Sequence, residues 1–220
     1  PSENENHQFE EIGGYAFYKN SSLVKVSIPA STKRIGKYAF SACEKLQYLS
    51  FMPIANEAPS LQVIESFAFH NCKELIEIPH IPASIKEIGS NAFFGCQTIA
   101  TITFDSDSQS LLDYIEEQAF ACCYNLQKVE RIPEISNEIG KEVFAYCSKL
   151  TSVEFLGEKI QIGVGCFKNC RSISSLLMPH AKSVYIEQNA FPNSNEGILL
   201  IVPNDTLVEG STQNIQLEYI

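Results

Sequence analysis

From Ile12 onward the chain repeats one order of apolar positions. An isoleucine is followed by apolar or small residues at offsets 4, 5 and 8, as in Ile35, Ala39, Phe40 and Cys43, and then by a stretch that alternates, as in Leu23, Val26 and Ile28 or Leu150, Val153 and Phe155. Offsets 0, 4, 5 and 8 fall on one side of a helix at about 100° per residue, so the first stretch predicts a short helix or helical turn. The alternating stretch predicts a short strand, often closed by Pro. Each copy therefore reads as one helical turn plus one strand.

The order recurs eight times, starting at Ile12, Ile35, Ile64, Ile88, Ile115, Ile139, Ile162 and Ile186, with intervals of 23, 29, 24, 27, 24, 23 and 24 residues. A single copy cannot bury its apolar face, whereas stacked copies place strand beside strand at about 4.8 Å and make a continuous core. The retained residues are then ladders through that core. Gly follows the isoleucine at 13, 36, 89, 140 and 163, but Glu stands there at 65, 116 and 187. This argues against an obligatory positive φ, and placement in a first helical turn accounts for both residue types.

A period of 20 to 29 residues with one strand per copy is that of leucine-rich repeats. The consensus I-G-x-x-A-F-x-x-C-x-x-L-x-x-I-x-I-P resembles the BspA-like, or Treponema pallidum type, leucine-rich-repeat family of bacterial and protozoan surface proteins, from Phe9 to about Pro203. Val143 and Cys166 depart from its Ala, and Asn20 and Ser194 from its Cys. The expected fold is an α/β solenoid: a right-handed leucine-rich-repeat coil with a parallel concave β-sheet and short helices or helical turns on the convex side. Residues 1–203 would form about eight coils of 23–24 residues, the first incomplete, and 204–220 a C-terminal capping segment. The resemblance implies an extracellular or cell-surface protein, often an adhesin that binds host proteins or other cells.

Composition narrows the partners. A formal charge of -10 and a pI near 4.9 oppose binding to nucleic acid and to anionic membrane. The longest apolar run, Gly197 to Pro203, is far short of a bilayer span, so no membrane insertion by this chain is expected. No cofactor is indicated and no enzyme is expected: His7, His70, His80 and His180 show no metalloprotease spacing, no C-x-x-C occurs, and the "GVGCFK" from Gly163 lacks the glycines of a phosphate loop. Six of the eight cysteines, Cys43, Cys72, Cys96, Cys123, Cys147 and Cys170, hold the same place in successive copies, which predicts a structural ladder of free, buried thiols. Cys166 and Cys170 lie one helical turn apart without further metal ligands nearby.

The predicted function is a non-enzymatic recognition module for a protein or glycan at a cell surface, with self-association also open; the alternative is a structural spacer within a larger surface protein. Three features break the monotony of the repeat. Two insertions, Met52 to Gln62 and Asp105 to Asp113, leave from the same end of their strands. On the concave strands, one extra residue before the proline would bulge His80 and Arg131 near Tyr48, Glu77, Thr101 and Lys128. On the convex side, offsets 3 and 6 face away from the apolar arc of the helical wheel and carry aromatic residues only in the first four copies, notably Tyr15, Tyr38, Phe67 and Phe94. These four are expected to line an apolar contact patch whose occupant is a partner, a second copy or further N-terminal sequence. Packing between coils is the competing account.

Overall fold

The computed structural model describes residues 9–52, 59–76, 78, 80–105, 112–192 and 197–220. The chain winds into a parallel β-solenoid whose coils lay down two series of short strands, numbered here in chain order. Long strands begin about thirteen residues after most of the isoleucines; after Ile64 the described residues show only a single bridge, Ile81 to Phe104. They are β2 (Lys25–Pro29), β4 (Tyr48–Met52), β7 (Thr101–Thr103), β9 (Lys128–Ile132), β11 (Ser152–Phe155), β13 (Ser175–Leu177), β15 (Ile198–Val202) and β17 (Ile215–Tyr219). Side strands end on or beside the isoleucine itself. They are β1 (Glu11–Ile12), β3 (Arg34–Ile35), β5 (Val63–Ile64), β6 (Glu87–Ile88), β8 (Leu112–Ile115), β10 (Ile135–Ile139), β12 (Lys159–Ile162), β14 (Ser183–Ile186) and β16 (Leu207–Gly210). All ladders are parallel, because each coil returns in the direction of the last.

The predicted helices are absent from the described residues. Where the apolar positions suggested a helix, each coil makes two successive tight turns. In the second coil Ala39, Ser41 and Cys43 donate their N–H groups to Gly36, Tyr38 and Phe40, three residues back. The alternate groups, Tyr38, Phe40 and Ala42, donate instead to Ser66, Ala68 and His70 of the next coil. This division requires a left-handed backbone at offsets 3 and 7, seen at Tyr38 and Ala42, at Asn91 and Gly95, and at Gln118 and Cys122. A helix cannot carry a positive φ every fourth residue, so the backbone satisfies itself between coils rather than along an axis.

Gly at offset 1 is also explained differently. None of these glycines has a positive φ, but a Cβ on Gly36 would lie 2.6 Å from the backbone N of Gly14, and one on Gly89 2.5 Å from that of Ser66. Close approach to the preceding coil, rather than helix position, selects glycine. Where Glu replaces it, the preceding coil has Gly, and the carboxylate reaches back: Glu65 accepts from the Lys37 N–H at 2.7 Å, and Glu116 from the Ser90 N–H and hydroxyl at 2.8 Å.

The core is a stack of rings. Phe17, Phe40, Phe69, Phe93, Phe120, Phe144, Phe167 and Phe191 follow one another with centroids 5.0 to 5.7 Å apart, and Phe40 to Phe167 are buried. The cysteine ladder runs alongside. Each thiol donates to the carbonyl of the phenylalanine in the coil before it, as Cys72 to Phe40 at 3.2 Å and Cys147 to Phe120 at 3.2 Å. That carbonyl already accepts the N–H of its own coil's cysteine, so the thiol occupies its second lone pair, a role for which a small weak donor suits. Asn20, which opens the ladder, instead uses its side chain to accept from Ser22 and Leu23.

The side ladder changes frame partway. Thr32, Leu61, Ile85 and Leu112 point inward three residues before their isoleucines. The corresponding apolar residue is Ile135, four before, in the sixth coil, and Ile160 and Val184, two before, in the next two. The register of β10 on β8 accordingly slips between Ile135 and Glu138. As a result β10 closes one six-stranded sheet and β12 opens a separate three-stranded one, β12-β14-β16. Residues 204–220 supply β16 and β17, which extend both ladders and leave Leu207, Leu217, Tyr219 and Ile220 exposed.

Candidate functional site

The aromatic residues of the first four coils form a second stack, outside the core. Tyr15 lies 4.9 Å from Tyr38 and Tyr38 4.8 Å from Phe67, all face to face, because a left-handed residue at offset 3 throws its side chain off the turn in every coil. Phe67 then meets His70 at 5.5 Å, and His70 stacks on Phe94 at 5.3 Å, moving the seam from offset 3 to offset 6. Tyr18 packs edge-on against both Tyr15 and Tyr38. Tyr15 is 56% exposed, and Tyr38, Phe67 and Phe94 are half-buried. Lys19 and Lys37 lie over the rings of Tyr18 and Tyr38. Burial lowers the His70 pKa.

The helical-wheel expectation fails at offset 6 elsewhere: Ser41, Ala121 and Ala145 are buried there, tucked under neighbouring turns. From Asn91 of the fourth coil onward the offset-3 column carries no aromatic ring. Gln118 donates to Glu142 at 2.8 Å, and Lys168 reaches the same carboxylate at 2.9 Å. The Lys168 and Gln118 hydrogen bonds hold the Glu142 pKa below the usual carboxylate value.

On the long strands, Tyr48, Thr101 and Lys128 are exposed, and Thr101 and Lys128 are directly paired. The bulge expected at Arg131 is present: the β9–β11 register slips between Val153 and Phe155, Arg131 has φ 62°, and its N–H donates to Glu154 at 3.2 Å. His80 pairs with Asp105 at 2.9 Å in solvent. Glu77, and residues 53–58 and 106–111 of the two insertions, lie outside the described residues.

All eight cysteines are free, and burial pushes the Cys72, Cys96, Cys147 and Cys166 thiols far above the ordinary value. Among the described residues no three His, Cys, Asp or Glu converge on a metal site.

One feature escaped sequence reasoning. Where the side ladder changes frame, β10 and β12 fall into separate sheets, and beside them lies an open cleft of about 410 Å³ lined by Glu134, Asn137, Gln161, Ser183, Tyr185 and Glu209, among others. The signal was the count of residues from the inward apolar side chain to each isoleucine, which is constant until the sixth coil.

Comparisons with known proteins bear on the fold. The family described as BspA type leucine-rich repeat region matches in six copies, over residues 10–104 and 62–197. The crystal structure of a T. pallidum leucine-rich repeat protein is 27% identical, with 79% of this chain and 75% of that chain covered and a TM-score of 0.56. A leucine-rich cell surface protein from Faecalibacterium prausnitzii is 16% identical, covering 100% and 85%, at a TM-score of 0.37. The pneumococcal vaccine antigen PcpA is 17% identical, covering 94% and 72%, at 0.36. Curated protein sequences give no match.

Proposed function

The chain belongs to the BspA-type leucine-rich-repeat family, a repeat scaffold that is generally non-enzymatic, and we propose that it acts as an adhesin-like recognition module on a cell surface. The partner is a protein of the host or of a neighbouring cell, and the contact is the outer aromatic seam. The observation that carries this reading is the partly exposed stack Tyr15–Tyr38–Phe67, which lies outside a core that already has its own ring ladder. Rigid, stacked tyrosine and phenylalanine rings offer large contact area at little cost in conformational entropy. Lys19 and Lys37 over two of the rings, on a chain of net charge -10, fit a partner surface that is apolar with an acidic fringe. Among the described residues, Tyr48, His80, Thr101, Lys128 and Arg131 lie apart from the seam, mix charged and polar groups, and form no comparable apolar cluster.

The test is binding of the purified chain to cells and to immobilised extracellular-matrix proteins, compared with a Tyr38→Glu/Phe67→Glu variant. Loss of binding in the folded variant is expected. Unchanged binding moves the contact elsewhere. If no cell, matrix protein or second copy binds the wild-type chain, a spacer role replaces this reading.

A further inference from the structure

We infer that the cleft at the frame shift is a binding site for a neutral saccharide, separate from the aromatic seam. Its floor is a flat row across the three-stranded side sheet, where Gln161, Tyr185 and Glu209 are register partners on successive strands. Tyr185, 45% exposed, stands at the centre of that row and lines the cleft, and an aromatic ring is the usual platform for the C–H face of a sugar. Gln161 and Glu209 flank it in register, Ser183 lies on the same strand, and Glu134 and Asn137 also line the cleft; the two amides each give one hydrogen bond to the protein, Gln161 to Glu187 and Asn137 to the Asp113 carbonyl, and keep a second N–H. Such a set both donates and accepts hydrogen bonds, as a polyhydroxylated ligand requires. About 410 Å³ lies in the range of small-molecule sites.

Other occupants fit less well. The wall and floor carry Glu134 and Glu209 against one cation, Lys159, which disfavours an anion. The terminal strands β10 and β12 invite a peptide strand between their edges, but their backbones approach within 8 Å, and an inserted strand needs about 9.5 Å. The same crowding appears at Gly157, where a Cβ would lie 3.0 Å from the Glu134 Cα. A ligand that enters sideways over Tyr185 meets no such limit.

The experiment is an NMR titration of the isotope-labelled chain with chitotriose, mannotriose, cellotriose and maltotriose. At least one should shift the amides of residues 134–137, 159–161, 183–185 and 209, saturating by about 10 mM. Tyr185→Ala should weaken that binding tenfold or more, Tyr185→Phe by less than threefold, and Tyr114→Ala by less than twofold, since Tyr114 is the matching exposed tyrosine on the unbroken sheet. The inference is overturned if none of these sugars shifts the cleft, if Tyr185→Ala binds as wild type, or if only sialylated sugars or peptides bind there. It goes beyond the recognition reading and uses a different site. Seam variants should leave the titration unchanged, so failure of either proposal leaves the other standing.

Discussion

The inner phenylalanine ladder and the outer aromatic seam share their geometry and differ in their surroundings. Rings stack at 5.0 to 5.7 Å in the first and at 4.8 and 4.9 Å from Tyr15 to Phe67 in the second. The inner rings are closed in by isoleucine, alanine and cysteine ladders and run through all eight coils. The outer rings run through four, and in the next three coils offset 3 holds Gln118, Glu142 and Gly165, with Lys168 at offset 6 bonded to Glu142. Stacking at the coil repeat is thus a consequence of the scaffold, available to any planar side chain at a fixed offset. Burial decides whether it serves stability, and its restriction to one half of the solenoid is what singles out the seam as a surface.

The sharpest way to break that comparison is to remove an inner ring. Phe93→Ala should lower the unfolding free energy by about 3–5 kcal/mol in urea denaturation, because the neighbouring coils are pinned by their ladders and cannot collapse into the cavity. A loss no larger than that of a seam variant would erase the distinction. Gly89→Ala comes next, at about 1–3 kcal/mol, since its Cβ must displace the backbone of the preceding coil. Gly13→Ala supplies the control: a Cβ there meets nothing within 4 Å, and its cost should stay within about 0.5 kcal/mol.

Thr32 sits where later coils have Leu61, Ile85 and Leu112, is 1% exposed, and has a hydroxyl without a hydrogen-bond partner. Thr32→Val should therefore stabilise the chain by about 1 kcal/mol, read as a higher denaturation midpoint. The smallest effect concerns the polar end of the outer column. Because Glu142 is held below its ordinary pKa of 4.5, its pairing contributes stability above that pH and loses it as pH falls through the lower, folded value. Lys168→Met should shrink the stability difference between pH 7 and pH 3, and an unchanged difference would show the pair to be idle.

Much of this was legible in the sequence. The isoleucine, phenylalanine and cysteine positions marked the coils and their core because burial tolerates few substitutes. The turns were misread because offsets 0, 4, 5 and 8 suit a helical face and two four-residue turns equally. The residues that distinguish them were present: Asn71, Gly95, Asn91, Asn169, Gly165 and Asn189 fall at offsets 3 and 7, and these types adopt a left-handed backbone readily. The turn, rather than a helical wheel, carries Tyr15, Tyr38 and Phe67 outward. The cleft depends on the side strands, whose single inward residue per coil is too sparse a pattern to stand out beside the longer strands.

The most direct measurement is the urea denaturation of Tyr38→Glu/Phe67→Glu beside Phe93→Ala. If the outer seam is surface, the double variant loses no more than about 1–2 kcal/mol, the worth of its ring contacts, and unfolds with the same cooperativity as wild type. A loss matching that of Phe93→Ala would make the seam part of the core and contradict the account.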